Sequence, residues 1–290
     1  MKYEAIRRHS PEHSVRGMCR VLGLKTAAYY QWLARYERRL EKRVEERRLA
    51  ARIGELFEAN RKVYGYRKMQ RALEKDGILL SEYKVRRLMR ENGYFPVVVT
   101  KYRPYRKGKA DGRYFEDKVN RDFKAELPNS IWIGDITYIR TVLGFVYLAA
   151  VIDLFNREII GYSISKTIDA ELAKAALGNA IARAGAPVAG TIFHSDRGTQ
   201  YSSKSFQAML ETHGIVGSMS RPSCPFDNAC MESFFSSAKR ECVRRKKYDR
   251  IEEVKKDMFE YIELFYNRKR MHASLGYLSP VEYRLSKMAS

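Results

Sequence analysis

At 290 residues, 45% hydrophobic and 12% aromatic, the chain has material for one large domain and one or two small ones, and no apolar run reaches the roughly 18 residues that span a bilayer. Its 55 Lys and Arg against 34 Asp and Glu leave a formal charge of +21, most of it in residues 1–110, which hold 29 basic and 12 acidic residues. A merely soluble basic surface would be evenly charged, so this asymmetry reads as a polyanion-binding arm on a nearly neutral catalytic body, and a single amphipathic membrane-surface helix is disfavoured.

The first residues are charged from Lys2 onward, with no apolar stretch before a cleavage site, which predicts a cytoplasmic protein. Four cysteines without a CxxC pair read as reduced thiols. His9, His13 and Cys19 resemble half of a zinc site; without a second cysteine pair, the histidines read as solvent-facing.

Residues 14–36 predict two short helices around a turn at Gly23, the second capped by Thr26 and carrying Tyr29 and Tyr30, in the manner of a helix-turn-helix. A highly charged helical stretch follows over 34–60, with Leu40, Val44, Ile53, Leu56 and Phe57 as its sparse apolar side, and reads as a connector or a dimerising helix. A second hairpin runs from Tyr66 to Lys75, breaks at Gly77, restarts at the Ser81 cap and stops at Gly93. Arg67, Lys68, Arg71, Arg86 and Arg87 crowd its polar faces, a density of like charge that a DNA backbone would relieve. Residues 100–113 are basic, aromatic and broken by proline and glycine, and read as a linker.

From residue 129 the pattern changes to strands over 131–140, 145–152 and 158–164, a helix over 169–184, and a short strand over 191–194. Three strands, a helix, then alternating strand and helix is the order of an α/β, ribonuclease-H-like mixed sheet flanked by helices, here preceded by an all-helical DNA-binding region. The expected organisation is a helix-turn-helix-like segment with a connecting helix (1–46), a basic helical hairpin (47–99), a linker (100–128), the catalytic core (129–246) and a C-terminal helical tail (247–290).

Three carboxylates carry the chemistry. Asp135 falls inside the first strand among residues that call for burial, and Asp196 follows the fourth strand in His194-Ser195-Asp196-Arg197-Gly198. A shared divalent cation would remove the burial penalty of both. Glu232 opens a helix capped near Asp227, whose buried stripe is Met231, Phe234, Phe235, Ala238 and Cys242. Asn228, Glu232, Ser236 and Lys239 share an edge about 100 degrees from it, which puts a metal ligand beside a phosphate-binding lysine. Three carboxylates can hold two Mg2+ ions about 4 Å apart, with Mn2+ as a substitute, for in-line phosphoryl transfer. No P-loop is present in the sequence, as suits strand joining that conserves bond energy.

Thirty-five residues separate Asp196 from Glu232, and Lys239 stands seven beyond it. This spacing resembles the D-D-35-E pattern of retroviral integrases and bacterial transposases. The words Trp132-Ile133-Gly134-Asp135-Ile136-Thr137-Tyr138, His194 to Tyr201, Asp227-Asn228-Ala229, Tyr266 to His272 and Tyr64-Gly65-Tyr66-Arg67 resemble the second-frame transposase of the insertion-sequence-three family. The resemblance implies Mg2+ dependence, recognition of terminal inverted repeats in double-stranded DNA, a homo-oligomer acting on paired ends, an upstream-frame DNA-binding partner or fusion, and a bacterial, nucleoid-associated protein. It departs from the family at residues 221–226, where Arg-Pro-Ser-Cys-Pro-Phe replaces a glycine-containing loop. Arg270 and His272 fall in a C-terminal helical tail ending near Ser279-Pro280, with Arg270 expected at DNA and His272 at a phosphate or in packing, and Gly198 to Tyr201 are expected at DNA or at a helix cap. A plain nuclease of this fold and a DNA-binding repressor derived from a transposase are the alternative functions.

Overall fold

The computed structural model describes residues 1–97, 115–119, 125–185, 187–220 and 229–289. The chain divides into two compact units, Met1–Phe95 and Pro96–Ser290. The linker expected over 100–113, the departing loop at 221–226, Asp227 and Asn228 lie outside the described residues.

The first unit is all helical: α1 (Lys2–His9), α2 (Val15–Val21), α3 (Thr26–Ala59), α4 (Tyr66–Lys75) and α5 (Glu82–Glu91). Ser14 caps α2 by accepting from the Gly17 amide. The turn at Gly23 has a φ of 67°, as expected, but Thr26 is the first residue of α3 and Lys25 its cap. Ile6, Cys19 and Tyr29 are the core of this end, with Tyr3 stacked on Trp32 at 5.5 Å. The recognition-like helix and the expected connector are one helix of 34 residues, unbroken across residue 46. Its far end packs on α4 and α5 through Ile53, Phe57, Met69, Leu73, Val85 and Leu88, all buried. Gly77 and Gly93 have φ of 77° and 72°, and Ser81 caps α5 through the Lys84 amide. The apolar spacing and the stop signals therefore placed this hairpin to the residue.

The second unit is built on a five-stranded sheet ordered β3-β2-β1-β4-β5. Its strands are β1 (Ile131–Thr141), β2 (Gly144–Asp153), β3 (Ile159–Ser165), β4 (Ile192–Ser195) and β5 (Val216–Met219). β1, β2 and β3 are antiparallel neighbours, whereas β1–β4 and β4–β5 are parallel. This is the mixed, ribonuclease-H-like sheet that the order of elements predicts. Between β3 and β4 runs α6 (Ala170–Ala184), capped by Asp169 on the Leu172 amide. It lies so close that a Cβ on Gly161 would come within 2.3 Å of the Ala176 carbonyl oxygen and 2.5 Å of the Ala180 nitrogen. Trp132, Ile136, Val151, Leu177, Phe193 and Phe206 fill the core on this side. α7 (Lys204–Thr212) precedes β5, and α8 (Ala229–Glu241) packs against β1.

The C-terminal segment continues through α9 (Ile251–Phe259) into a π-helical stretch at Glu260–Tyr266. The Asn267 side chain ties it to the sheet, accepting from the Ile159 amide and donating to the Ile159 carbonyl. The expected end of the helical tail at Ser279 and Pro280 is instead the start of α10 (Pro280–Met288), where Ser279 and Glu282 form a reciprocal capping box. No described helix is long and apolar enough to cross a membrane.

Candidate active site

Asp135 lies on β1 and Asp196 directly after β4, its parallel neighbour. Ile131, Trp132 and Ile133 of β1 face Ile192, Phe193 and His194 of β4, and the same register continued two residues would set Asp135 opposite Asp196, just beyond the end of β4. Neighbouring strands lie about 4.8 Å apart, close enough for two carboxylates to act on one ligand. Both side chains are half-buried. Oδ1 of Asp135 accepts from the Ile136 amide at 2.8 Å, and Oδ1 of Asp196 accepts from the Gly198 amide at 3.0 Å.

Tyr201 is buried and packed edge-on against Phe206 with ring centroids 5.3 Å apart. Burial, then the negative charges of Asp135 and Asp196, push its hydroxyl well above the ordinary tyrosine range. One phenol therefore feels both aspartates and stays protonated. Of the two roles weighed for Gly198 to Tyr201, the helix cap falls to Ser203, which caps α7, and Tyr201 is buried within reach of the charges of Asp135 and Asp196.

Helix α8 carries the remaining groups. Met231, Phe234, Phe235, Ala238 and Cys242 are all buried, as their helical spacing predicts. Glu232 and Ser236 are exposed and Lys239 is half-buried on the adjoining edge. The Lys239 ammonium sits 4.5 Å from the centroid of the Tyr138 ring. Burial foremost, and Arg244, pull its pKa down to about 8, while the charge of Asp135 opposes them. Desolvation raises the Glu232 carboxyl above its ordinary value. Among the described residues no three His, Cys, Asp or Glu side chains form a group that could hold a metal ion. Asp135 and Asp196 both act on Tyr201, Lys239 lies within reach of Asp135's charge, and among the described residues Glu232 is not gathered with the aspartates into a metal-holding group. The pair itself suits a hard cation, because Mg2+ is commonly held by one or two carboxylates and completed by substrate phosphates and water.

The expected DNA contacts divide by geometry. Arg67 and Arg86 are exposed and flank the Tyr66 ring, at 5.6 and 5.7 Å from its centroid. Lys68 lies 5.5 Å from the Tyr64 ring, and Arg71 pairs with Glu74 at 2.7 Å on the helix surface. Arg87 is half-buried and tied to Glu46 of α3 and Glu91, so its guanidinium holds α5 to α3. Arg270 is buried; its Nη2 and Nε donate to the two oxygens of Glu241 at 2.7 and 2.8 Å. Burial lowers and the Glu241 hydrogen bond raises the basicity of Arg270, with a net increase. His272 stands edge-on to Tyr266 at 4.9 Å and is half-buried, which is the packing role weighed for it. The sequence reading passed over Tyr138 and Glu241; the strand alternation marks Tyr138 as outward-facing, but nothing local signals Glu241.

Two integrase core domain models match residues 125–225 and 232–288, and an HTH-like domain model matches residues 44–102. The chain is 36% identical over 289 residues, covering 100% of both sequences, to the transposase InsF for insertion sequence IS3A of Escherichia coli (strain K12). It is 37% identical over 250 residues to the transposase for insertion sequence element IS904 of Lactococcus lactis subsp. lactis (strain IL1403), covering 86% of this chain and 98% of that one. A chain of the simian T-cell lymphotropic virus intasome aligns over 74% of this chain and 70% of its own, at 16% identity and a TM-score of 0.47. With its full length matched and an integrase core on a mixed sheet, the chain belongs to the IS3 family of transposases, enzymes of the polynucleotidyl transferase type.

Proposed function

We propose that this transposase cuts the inverted-repeat ends of its insertion sequence and joins the released 3′-hydroxyl to new DNA, with Asp135, Asp196 and Glu232 as catalytic carboxylates and Mg2+ as cofactor. The observation that supports this reading most is the parallel β1–β4 register, which, continued two residues past Ile133 and His194, would set Asp135 opposite Asp196, while the charge of Asp135 acts on Lys239. Bound at these carboxylates, two divalent cations, Mg2+ or Mn2+, supply activation of the attacking oxygen and neutralisation of charge on the leaving one.

The chain's own groups do the rest. Asp135 and Asp196 accept from backbone amides, which fixes their carboxyl orientation before substrate arrives. Glu232, exposed on the first turn of α8, is the proposed third carboxylate. Lys239, steadied on the Tyr138 face, offers its charge to a DNA phosphate next to the scissile bond. In joining, the attacking 3′-hydroxyl gives up a proton, one phosphodiester forms, another breaks, and the leaving 3′-oxygen takes up a proton. Bond energy is conserved, so the step draws on no nucleotide.

Exposed Arg67 and Arg86 on either side of Tyr66 grip double-stranded DNA through phosphates. Work on two element ends calls for a homo-oligomer, with an upstream-frame protein contributing further DNA recognition. The test is a strand-transfer assay on labelled inverted-repeat DNA. Asp135→Asn should abolish both cleavage and joining while leaving DNA affinity within about threefold of wild type, because one fewer negative charge does not weaken phosphate binding. Joining that survives in this variant would refute the assignment, and hydrolysed ends without joining would indicate a nuclease.

A further inference from the structure

The hairpin of β1 and β2 carries an aromatic face next to the catalytic edge. Across the two antiparallel strands Tyr138 stands opposite Tyr147 and Arg140 opposite Phe145, and directly opposed residues project from the same side of a sheet. All four therefore share one face, near the turn at residues 142 and 143. Phe145 keeps 50% of its surface exposed and Tyr138 keeps 37%, and Arg140 is exposed as well. The Tyr138 and Phe145 rings meet edge to face, with centroids 5.4 Å apart and planes at 86°. The turn beside them is fastened: the Val142 amide donates to the Tyr248 carbonyl at 2.8 Å, and the buried Tyr248 donates its hydroxyl to Asp257 at 2.9 Å. The rings are thus held in place before a ligand arrives, which lowers the ordering cost of binding.

Charge and place decide what fits this face. The Lys239 ammonium lies 4.5 Å from the Tyr138 centroid, and Arg140 stands beside Phe145, so flat aromatic surface comes together with two cations. Tyr138 follows Asp135 by three residues, roughly 10 Å along β1. A nucleotide offers both matching parts, a planar base for the rings and a phosphate for the cations, whereas an apolar protein surface would leave the cations without a counterpart. Inside a duplex both faces of a base are covered by its neighbours, so a base that reaches these rings has left its pair. We infer, building on the proposed cleavage of element ends, that Phe145 and Tyr138 form a stacking platform for one unpaired base of the element end, next to the phosphate held by Lys239.

The test measures affinity of the full chain for element-end DNA mismatched next to the cut, with one base at a time replaced by an abasic sugar on an intact backbone. In wild type, one position should weaken binding about tenfold, as the loss of one base stacked on an aromatic side chain does. Phe145→Leu, which keeps an apolar side chain but not the ring, should bind the DNA with all its bases about tenfold more weakly and lose the sensitivity at that position; Phe145→Trp should retain both. Restoring the pairs next to the cut should weaken wild-type binding several-fold, because binding must then drive the unpairing. Full affinity in Phe145→Leu, an abasic effect undiminished in that variant, or indifference to restored pairing would overturn the platform and leave the proposed reaction standing. An abasic effect found only in target DNA, read as lost joining, would overturn the assignment to the element end. Failure of wild type to bind element-end DNA at all would overturn the proposed reaction as well.

Discussion

The Lys239 ammonium stands 4.5 Å from the centre of the Tyr138 ring, so the strand that bears Asp135 also supplies the aromatic face on which the lysine rests. With burial holding its pKa to about 8, Lys239 is charged at neutral pH and loses its proton just above. Without divalent cation, DNA affinity of the wild type should therefore fall as pH rises from 7 to 9. The log-log salt slope should shrink by about one phosphate's worth. Lys239→Arg should abolish this pH dependence, and fluorescence anisotropy across that range measures it.

Arg270 and Glu241 form a buried pair joined by two short hydrogen bonds. Removing one partner leaves the other charged and desolvated, so Arg270→Gln should cost about 3–5 kcal/mol of stability. Arg270→Met combined with Glu241→Leu should recover part of that loss. Denaturant unfolding of the single and double variants measures both.

That pair also marks where sequence reading stopped. The hairpin of α4 and α5, the strands of the sheet and the buried stripe of α8 were all legible, because each is fixed by periodicity, a cap or a glycine within a few residues. Arg87 and Arg270 read as phosphate ligands because their partners, Glu46 and Glu241, lie 41 and 29 residues away. Only the folded chain reveals that these charges are already engaged. A helix was expected over 34–60, but not its unbroken continuation from Thr26: the sparse apolar residues of its middle do not carry the stripe of the first turns onward, so nothing local joined the two segments. The start of α10 was legible in Ser279-Pro280-Val281-Glu282, since proline suits the first turn of a helix as well as the end of a tail. At the site, the positions of Asp135 on β1, Asp196 after β4 and Lys239 on α8 could be read locally, whereas the charges that act on the buried Tyr201 come from residues that only the fold brings near it.

Asp153 ends β2 with its carboxyl buried, accepting from the amides of Asn129 and Phe155. Desolvation outweighs these bonds and lifts its pKa to about 6. Between pH 6 and 4 the folded state therefore takes up a proton that the unfolded chain does not, and this group's contribution to stability rises as pH falls. Relative to Asp153→Asn, the wild type should gain about 2 kcal/mol between pH 7 and pH 4.5. Urea unfolding of both proteins at the two pH values checks the sign.

Gly161 has backbone atoms of α6 where a Cβ would be, with the Ala176 oxygen at 2.3 Å. Backbone on both sides cannot yield as a flexible side chain would. Gly161→Ala should destabilise the second unit by about 1–3 kcal/mol or more, visible as a lower melting temperature.

The central claim is that the paired aspartates, with Glu232, hold the divalent cation on which joining depends. Electron paramagnetic resonance titration of Mn2+ into the full chain bound to element-end DNA measures that holding without relying on turnover. Wild type should bind Mn2+ at a protein-dependent site, Asp135→Asn and Asp196→Asn should each lose it, and Glu232→Gln should weaken it. Undiminished Mn2+ binding in both aspartate variants would contradict the account.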